Sequence, residues 1–144
     1  MKKIMLIAAF IFSHAVAVLA NDESVSPAVE NAFKNKFPGA ANAEWLAGPS
    51  YYKVSFTYNG VQLFAIFSDD ASLMGTARNI TSNQLPYFLQ KVKRNLTHYW
   101  ITDLYEMSCD SGFSYYMTLD NADNKIILEA KQGGDWKMVS ITEK

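Results

Sequence analysis

The residues that could carry chemistry are few and lie far apart in the sequence. His14 and His98 are the only imidazoles, and Cys109 is the only thiol. A nucleophilic triad needs a positioned histidine, and Cys109 would need His98 as its base, yet no motif joins the two. His98 precedes Tyr99 and Trp100, which favours a packing or helix-end role over catalysis. The sequence therefore predicts no catalytic residue and no enzymatic activity.

Two acidic clusters, Asp69-Asp70 and the segment from Asp120 to Asn124, are the candidates for a metal site. The longer cluster lacks the Asp-x-Asp-x-Asp-Gly order and the closing Glu of a calcium loop. Asp and Asn are also favoured in turns because their side chains bond to their own backbone. Since the sequence contains no glycine-rich phosphate loop either, we expect turns at both clusters, with no metal and no cofactor.

Composition excludes further classes of protein. The chain has 144 residues, with 13 Lys and Arg against 14 Asp and Glu, for a net charge of −1. Nucleic-acid binding through phosphates needs a basic field, which this balance does not supply. Hydrophobic residues make up 49% and charged residues 19% of the chain, so it is not intrinsically disordered. The length suits one domain or two small lobes.

The first twenty residues have the pattern of a secretory signal peptide. Lys2 and Lys3 precede an apolar run over residues 4–19, and small residues lead to Ala20. We expect cleavage after Ala20, with Ala17 as a second candidate, and an uncleaved N-terminal anchor as the alternative. Residues 21–144 would then be periplasmic or extracellular, with no membrane contact after cleavage.

A helix pattern opens this remaining segment. Ser26 and Pro27 are typical of a helix start, and apolar residues recur every four positions at Val29, Phe33 and Phe37. The Pro-Gly pair that follows Phe37 ends the pattern. The sequence therefore predicts a helix with one apolar face.

From Tyr51 the period of the apolar residues changes to two, which is typical of strands. Asn59-Gly60 predicts a type I′ hairpin, because both residues tolerate positive φ. Such a turn pairs Tyr58 with Val61 and places the flanking strands in a fixed register. Further strands are predicted after it, with turn residues between them.

The same order appears a second time. A second helix is predicted from Thr81 or Ser82, with Pro86 in its first turn, followed by four strands. Strand residues match at an offset of 63 positions, as with Tyr52 and Tyr115. The predicted fold class is α+β, in two tandem units, each a helix packed on an antiparallel sheet of about four strands. The units span about residues 26–80 and 81–142.

Several motifs of the first half carry a family resemblance. They are Phe33-Lys34-Asn35-Lys36-Phe37-Pro38-Gly39-Ala40, Trp45, Tyr52-Lys53-Val54-Ser55-Phe56, Gly60, Ala65-Ile66-Phe67, Asp70 and Leu85-Pro86. Over about residues 26–141 the chain resembles the secreted bacterial β-lactamase-inhibitor-like, PepSY-like domain family. That family is similar in fold to the tandem α/β inhibitor of β-lactamase. The second half departs most, since Leu96-Thr97 stands in place of Phe-Pro. The resemblance implies a fold, a secreted location and a non-enzymatic binding role in a single domain of two repeats.

The sheet face opposite the helices is the predicted binding surface. Its residues are more apolar than a water-exposed sheet face normally is, and aromatics mixed with Lys and Thr are typical of protein interfaces. The candidate contact residues are Tyr51, Lys53, Phe64, Ile66 and Tyr116. We expect them to be exposed and to bind a protein or peptide. The alternative is a small-molecule or cell-envelope ligand bound in a cleft between the two repeats, near His98 and Tyr99.

Overall fold

The computed structural model describes residues 25–94, 96 and 98–144, so the predicted signal peptide lies outside the described residues. The chain order is helix α1 (Pro27–Lys36), strands β1 (Ala41–Gly48), β2 (Tyr51–Tyr58), β3 (Val61–Ser68) and β4 (Leu73–Asn79), 3-10 helices at Ser82–Gln84 and Tyr87–Arg94, and strands β5 (Trp100–Cys109), β6 (Gly112–Asp120), β7 (Asn124–Lys131) and β8 (Lys137–Glu143).

Helix α1 begins and ends where the sequence predicts. The Ser26 side chain accepts a hydrogen bond from the backbone N–H of Val29 at 3.3 Å, and Pro27 fills the first helical position. Gly39 has a φ of 84°, a conformation that glycine adopts without strain. Val29 and Phe33 are buried on the face turned to the sheet.

The hairpin of β2 and β3 also has the predicted register. Tyr58 pairs with Val61, and the ladder runs on through Val54 with Ala65 to Tyr51 with Ser68. Asn59 and Gly60 have φ values of 50° and 78°, as a type I′ turn requires.

The predicted fold class is wrong in two respects. The strands form one eight-stranded antiparallel sheet in the order β1 to β8, rather than two sheets of about four strands. Among the described residues only α1 is an α-helix, so the second half is not a helix packed on a sheet.

The second helix fails at Pro86. Leu85 precedes a proline and has φ −65° and ψ 145°, an extended conformation that proline favours in the residue before it. Pro86 also lacks the N–H that a continuing helix would use. The segment therefore forms two 3-10 helices, with a capping box between Thr81 and Gln84 at the start of the first.

The described chain divides into two compact units. The first unit comprises residues 25–79 and Tyr105–Phe113, and the second comprises Ile80–Leu104 and Ser114–Lys144, with the masked positions left out. The boundary after Asn79 lies one residue before the boundary predicted between the repeats, and part of β5 groups with the first unit. The repeat origin of the two halves stays a prediction.

Each unit has its own hydrophobic cluster on the helical side of the sheet. In the first unit α1 and the strands supply Val29, Phe33, Phe37, Val54, Phe56, Ala65 and Phe67. In the second unit the 3-10 segment and the strands supply Ile80, Leu85, Leu89, Leu104, Tyr115, Met117, Leu119, Ile126, Leu128 and Ala130. None of the helices in the described residues is both long enough and apolar enough to cross a bilayer.

Candidate binding surface

Successive side chains of strands β2 and β3 lie on opposite faces of the sheet. Val54 and Ala65 enter the cluster beneath α1, and their neighbours Lys53, Phe64 and Ile66 project from the opposite face. We call this opposite face the outer face of the first unit; its residues are Tyr51, Lys53, Ser55, Phe64, Ile66, Gly75, Ala77, Tyr105 and Met107. Neither hydrophobic cluster contains any of them, so the predicted separation of the two faces is confirmed.

A row of three side chains crosses the outer face. The Lys53 Nζ lies 4.9 Å from the centroid of the Phe64 ring. Phe64 in turn meets Tyr105 edge to face, with ring centroids 5.9 Å apart. The two rings come from β3 and β5 and can meet across β4, because the β4 residue opposite Phe64 is the small Ala77. We call Lys53, Phe64 and Tyr105 the cation–aromatic row; Tyr105 is only 2% exposed, so Lys53 and Phe64 are the members that reach solvent.

The electrostatics of Lys53 follow from its position. Its side chain is half-buried, and burial lowers the pKa of the ammonium group from the ordinary value of 10.5. The Phe64 ring faces the cation and attracts it, which offsets part of the loss of hydration. A cation held in this way can lose its remaining water to a partner at a lower cost than a fully hydrated lysine.

Tyr51 and Ile66 are less exposed than the sequence predicts, with exposed fractions of 9% and 4%. The Tyr51 ring lies across the backbone of Gly48, its cross-strand partner, where a Cβ atom would come within 2.0 Å of the ring. Burial raises the pKa of the Tyr51 hydroxyl. The expectation that these two side chains are open to solvent is wrong, while Lys53 and Phe64 are half-buried.

Tyr116 belongs to the second unit. Its side chain is 1% exposed, and its hydroxyl donates a hydrogen bond of 2.7 Å to Glu129, its cross-strand partner. The expectation that Tyr116 is exposed is therefore also wrong. Two residues further along β6, Thr118 is fully buried, and its hydroxyl has no hydrogen-bond partner among the described residues. Such an orphaned hydroxyl is uncommon in folded proteins.

Sequence reasoning missed Tyr105 as a member of the outer face. Its place there depends on the pairing of β4 with β5, in which Asn79 faces Tyr105 and Ala77 faces Met107. The alternation of Tyr105 and Met107 around Glu106 was the available signal, but alternation alone does not say which face of a strand is buried.

The acidic clusters and Cys109, which were considered above for metal binding and catalysis, make local structural contacts instead. The Asp70 carboxylate accepts the backbone N–H of Ser72 at 3.1 Å, and the Asn121 side chain accepts that of Asn124 at 2.7 Å, as turn residues do. The Cys109 thiol contacts the Ser111 hydroxyl at 3.1 Å. No group of three metal-ligating side chains occurs in the part of the chain that the structure describes.

A cleft of about 740 Å³ lies within the second unit. Its lining residues are Ser82, Asn83, Leu85, Leu89, Gln90, Leu96, Tyr99, Trp100, Ile101, Met117 and Leu119. Tyr99 is among them, as the alternative interpretation of the sequence suggested, whereas His98 is not. That interpretation placed its cleft between the two repeats, and such a cleft stays a prediction.

Solved structures show what the fold is similar to. A BLIP-like protein from Bacteroides fragilis matches with a TM-score of 0.65 at 18% identity, over 83% of this chain and 86% of that one. A DUF2874 family protein from Bacteroides uniformis matches with a TM-score of 0.70 at 15% identity, over 83% and 90%. A protein provisionally described as periplasmic, from Bacteroides eggerthii, matches with a TM-score of 0.71 at 15% identity, over 83% and 89%.

These likenesses show a BLIP-like fold and no more than the fold. The resemblance drawn from the sequence is confirmed at that level, and its PepSY-like part stays a prediction. No protein-family profile matches the chain, and no curated protein sequence matches it.

Proposed function

We propose that this protein is an exported, non-enzymatic binding protein that holds a protein or peptide against the outer face of its sheet. The observation that carries the proposal is the cation–aromatic row of Lys53, Phe64 and Tyr105, which lies on the face turned away from the cluster beneath α1. The BLIP-like fold supports it, because the fold is known from a protein described by its likeness to an inhibitor.

The composition of the row suits a protein partner. Aromatic side chains and cations are enriched at the centres of interfaces, where few residues supply most of the binding free energy. Lys53 and Phe64 are half-buried and would contact the partner directly. Tyr51, Ile66 and Tyr105 are buried and would support these two side chains without contacting the partner themselves. The mechanism is equilibrium occlusion of the partner, with no covalent step and no cofactor.

The location follows from the N-terminal pattern. We propose that residues 1–20 direct export and are removed, so that residues 21–144 act in the periplasm or outside the cell. The periplasmic description of one structural relative supports this.

Site-specific photo-crosslinking tests the surface. A benzophenone amino acid is placed at Phe64, and in a matched variant at Phe113, in protein expressed from the full-length sequence. Phe113 is also aromatic and is 45% exposed, but it alternates with Ser114 and so projects from the other face of the sheet. We expect a discrete adduct from position 64 and none from position 113, with the partner identified by mass spectrometry.

Two results would contradict the proposal. Adducts of equal yield from both positions would show that the outer face has no special affinity. The absence of any adduct from position 64, in cells where the protein is exported and folded, would remove the outer face as a binding surface.

A further inference from the structure

The cleft of the second unit has the size and lining of a small-molecule site. Its volume of about 740 Å³ falls within the range of about 300–1,000 Å³ that ligand sites occupy. Leu85 and Leu89 from the 3-10 segment and Met117 and Leu119 from β6 are buried side chains in its walls. The deep part of the cleft is therefore lined by apolar side chains.

The rim has a different chemistry. Ser82, Asn83 and Gln90 are exposed lining residues, so the cleft offers one hydroxyl and two amides where it meets solvent. Gln90 is held in place by a 2.8 Å hydrogen bond from its side-chain amide to the carbonyl of Leu85.

The exposed Trp100 gives a second reason to expect an occupant. This residue lines the cleft and yet is 60% exposed, although it is large and apolar. A ligand that entered the cleft could cover part of the indole and gain apolar burial at both the wall and the rim.

We infer that the cleft binds a single aliphatic chain whose polar head group lies at the rim. The walls are mainly aliphatic, which suits a hydrocarbon chain, and the hydroxyl and amides of Ser82, Asn83 and Gln90 can hydrogen-bond the head group. The site is independent of the outer face and would be a second binding function.

Methionine methyl groups report on this site and on the outer face separately. Met117 lines the cleft in the second unit, and Met107 lies on the outer face of the first unit. Protein labelled with ¹³C at its methionine methyls is titrated with 1-decanol. We expect a saturable shift of the Met117 resonance with no shift at Met107.

A cavity-filling variant supplies the matched control. Ile101→Trp places a larger side chain in the wall of the cleft, whereas Val61→Trp adds the same side chain at an exposed position of the first unit. We expect Ile101→Trp to weaken decanol binding at least about tenfold and Val61→Trp to leave it unchanged.

Two results would overturn the inference. They are a Met117 resonance that does not move with decanol and equal shifts at Met117 and Met107. If Ile101→Trp does not fold, the contrast between the two methionines in the wild-type protein still decides. Each of these results concerns the cleft alone and leaves the crosslinking test of the outer face intact.

Discussion

The sequence predicts a helix over the sheet in each unit, but the two units differ in what forms there. In the first unit α1 packs its aromatic face tightly on the sheet, with the Phe33 and Phe56 ring centroids 4.9 Å apart and those of Phe37 and Phe56 4.7 Å apart. In the second unit a 3-10 segment stands in place of the helix, and a cleft of about 740 Å³ opens beside Leu85 and Leu89. A continuous helix fills the space above its strands, and an interrupted one leaves part of that space open.

The largest expected effect is on stability. Phe33→Ala should lower the free energy of unfolding by about 4 kcal/mol, since it removes a ring that contacts several others in a closed cluster. Leu89→Ala in the second unit should lower it by about 2 kcal/mol, at the low end for a buried leucine, because the cleft already deprives Leu89 of some contacts. Urea denaturation measures both.

The contrast between the two variants is the informative quantity. If Leu89→Ala costs as much as Phe33→Ala, the second unit is packed as tightly as the first in solution. The difference between the two units would then be lost.

Proline removal tests the cause of the interruption. A proline inside a helix is unfavourable by about 3 kcal/mol relative to alanine, so Pro86→Ala should let the two 3-10 segments join as an α-helix. We expect a stronger helical signal at 222 nm by circular dichroism. Pro38→Ala is the matched control, because Gly39, with a φ of 84°, still ends α1 and no added helix is expected. An unchanged signal in Pro86→Ala would mean that Pro86 does not set the local geometry.

A smaller effect on the free energy of unfolding is expected from a hydrogen bond that joins two segments of the second unit. The Trp136 indole N–H donates a 2.9 Å hydrogen bond to the carbonyl of Leu89, joining the approach to β8 to the 3-10 segment. Trp136→Phe keeps an aromatic ring and loses this bond, so the free energy of unfolding should fall by about 1 kcal/mol. Trp45→Phe in the first unit is the control, because Trp45 contributes ring contacts with Phe33 and Phe67 that phenylalanine can partly keep. Equal losses from both substitutions would argue that the hydrogen bond adds nothing.

The parts of this fold that sequence predicts are local ones. The cap at Ser26 and the turn at Asn59-Gly60 each depend on a few adjacent residues, and both are confirmed. The sequence predicts Pro86 in the first turn of a second helix, where proline is tolerated, and this prediction is wrong. Whether a proline is tolerated depends on where the helix begins, and Thr81 and Gln84 close a capping box that places Pro86 past the first turn.

The candidate site was predicted less well because it depends on pairing between strands. The face on which Lys53 and Phe64 lie follows from the hairpin register and was found from the sequence. The burial of Tyr51 depends on the short turn between β1 and β2, which pairs it with Gly48, whereas the position of Tyr105 depends on the β4–β5 register between strands far apart in the sequence. Alternation specifies two faces of each strand but not how strands distant in sequence align.

The smallest expected effect compares a lysine of the outer face with a lysine of the second unit. Burial lowers the pKa of Lys53 below 10.5, so the folded state binds its proton less tightly than the unfolded state does. The free energy of unfolding of the wild type should therefore rise as the pH increases through the lowered pKa toward 10.5, where the unfolded state also loses the proton. Lys53→Met lacks this titration.

Lys53→Met should thus be more stable than the wild type at neutral pH, by less than about 1 kcal/mol because Lys53 is only partly buried. The difference should shrink as the pH approaches 10.5. The raised pKa of Tyr51 makes the free energy of unfolding fall above pH 10.0. This fall is the same in both proteins, so it cancels in the comparison. Lys131→Met, at an exposed position of β7, should show no such trend. A difference that instead widens with pH would mean that the attraction of Lys53 to the Phe64 ring outweighs its desolvation, and that the row favours a charged lysine.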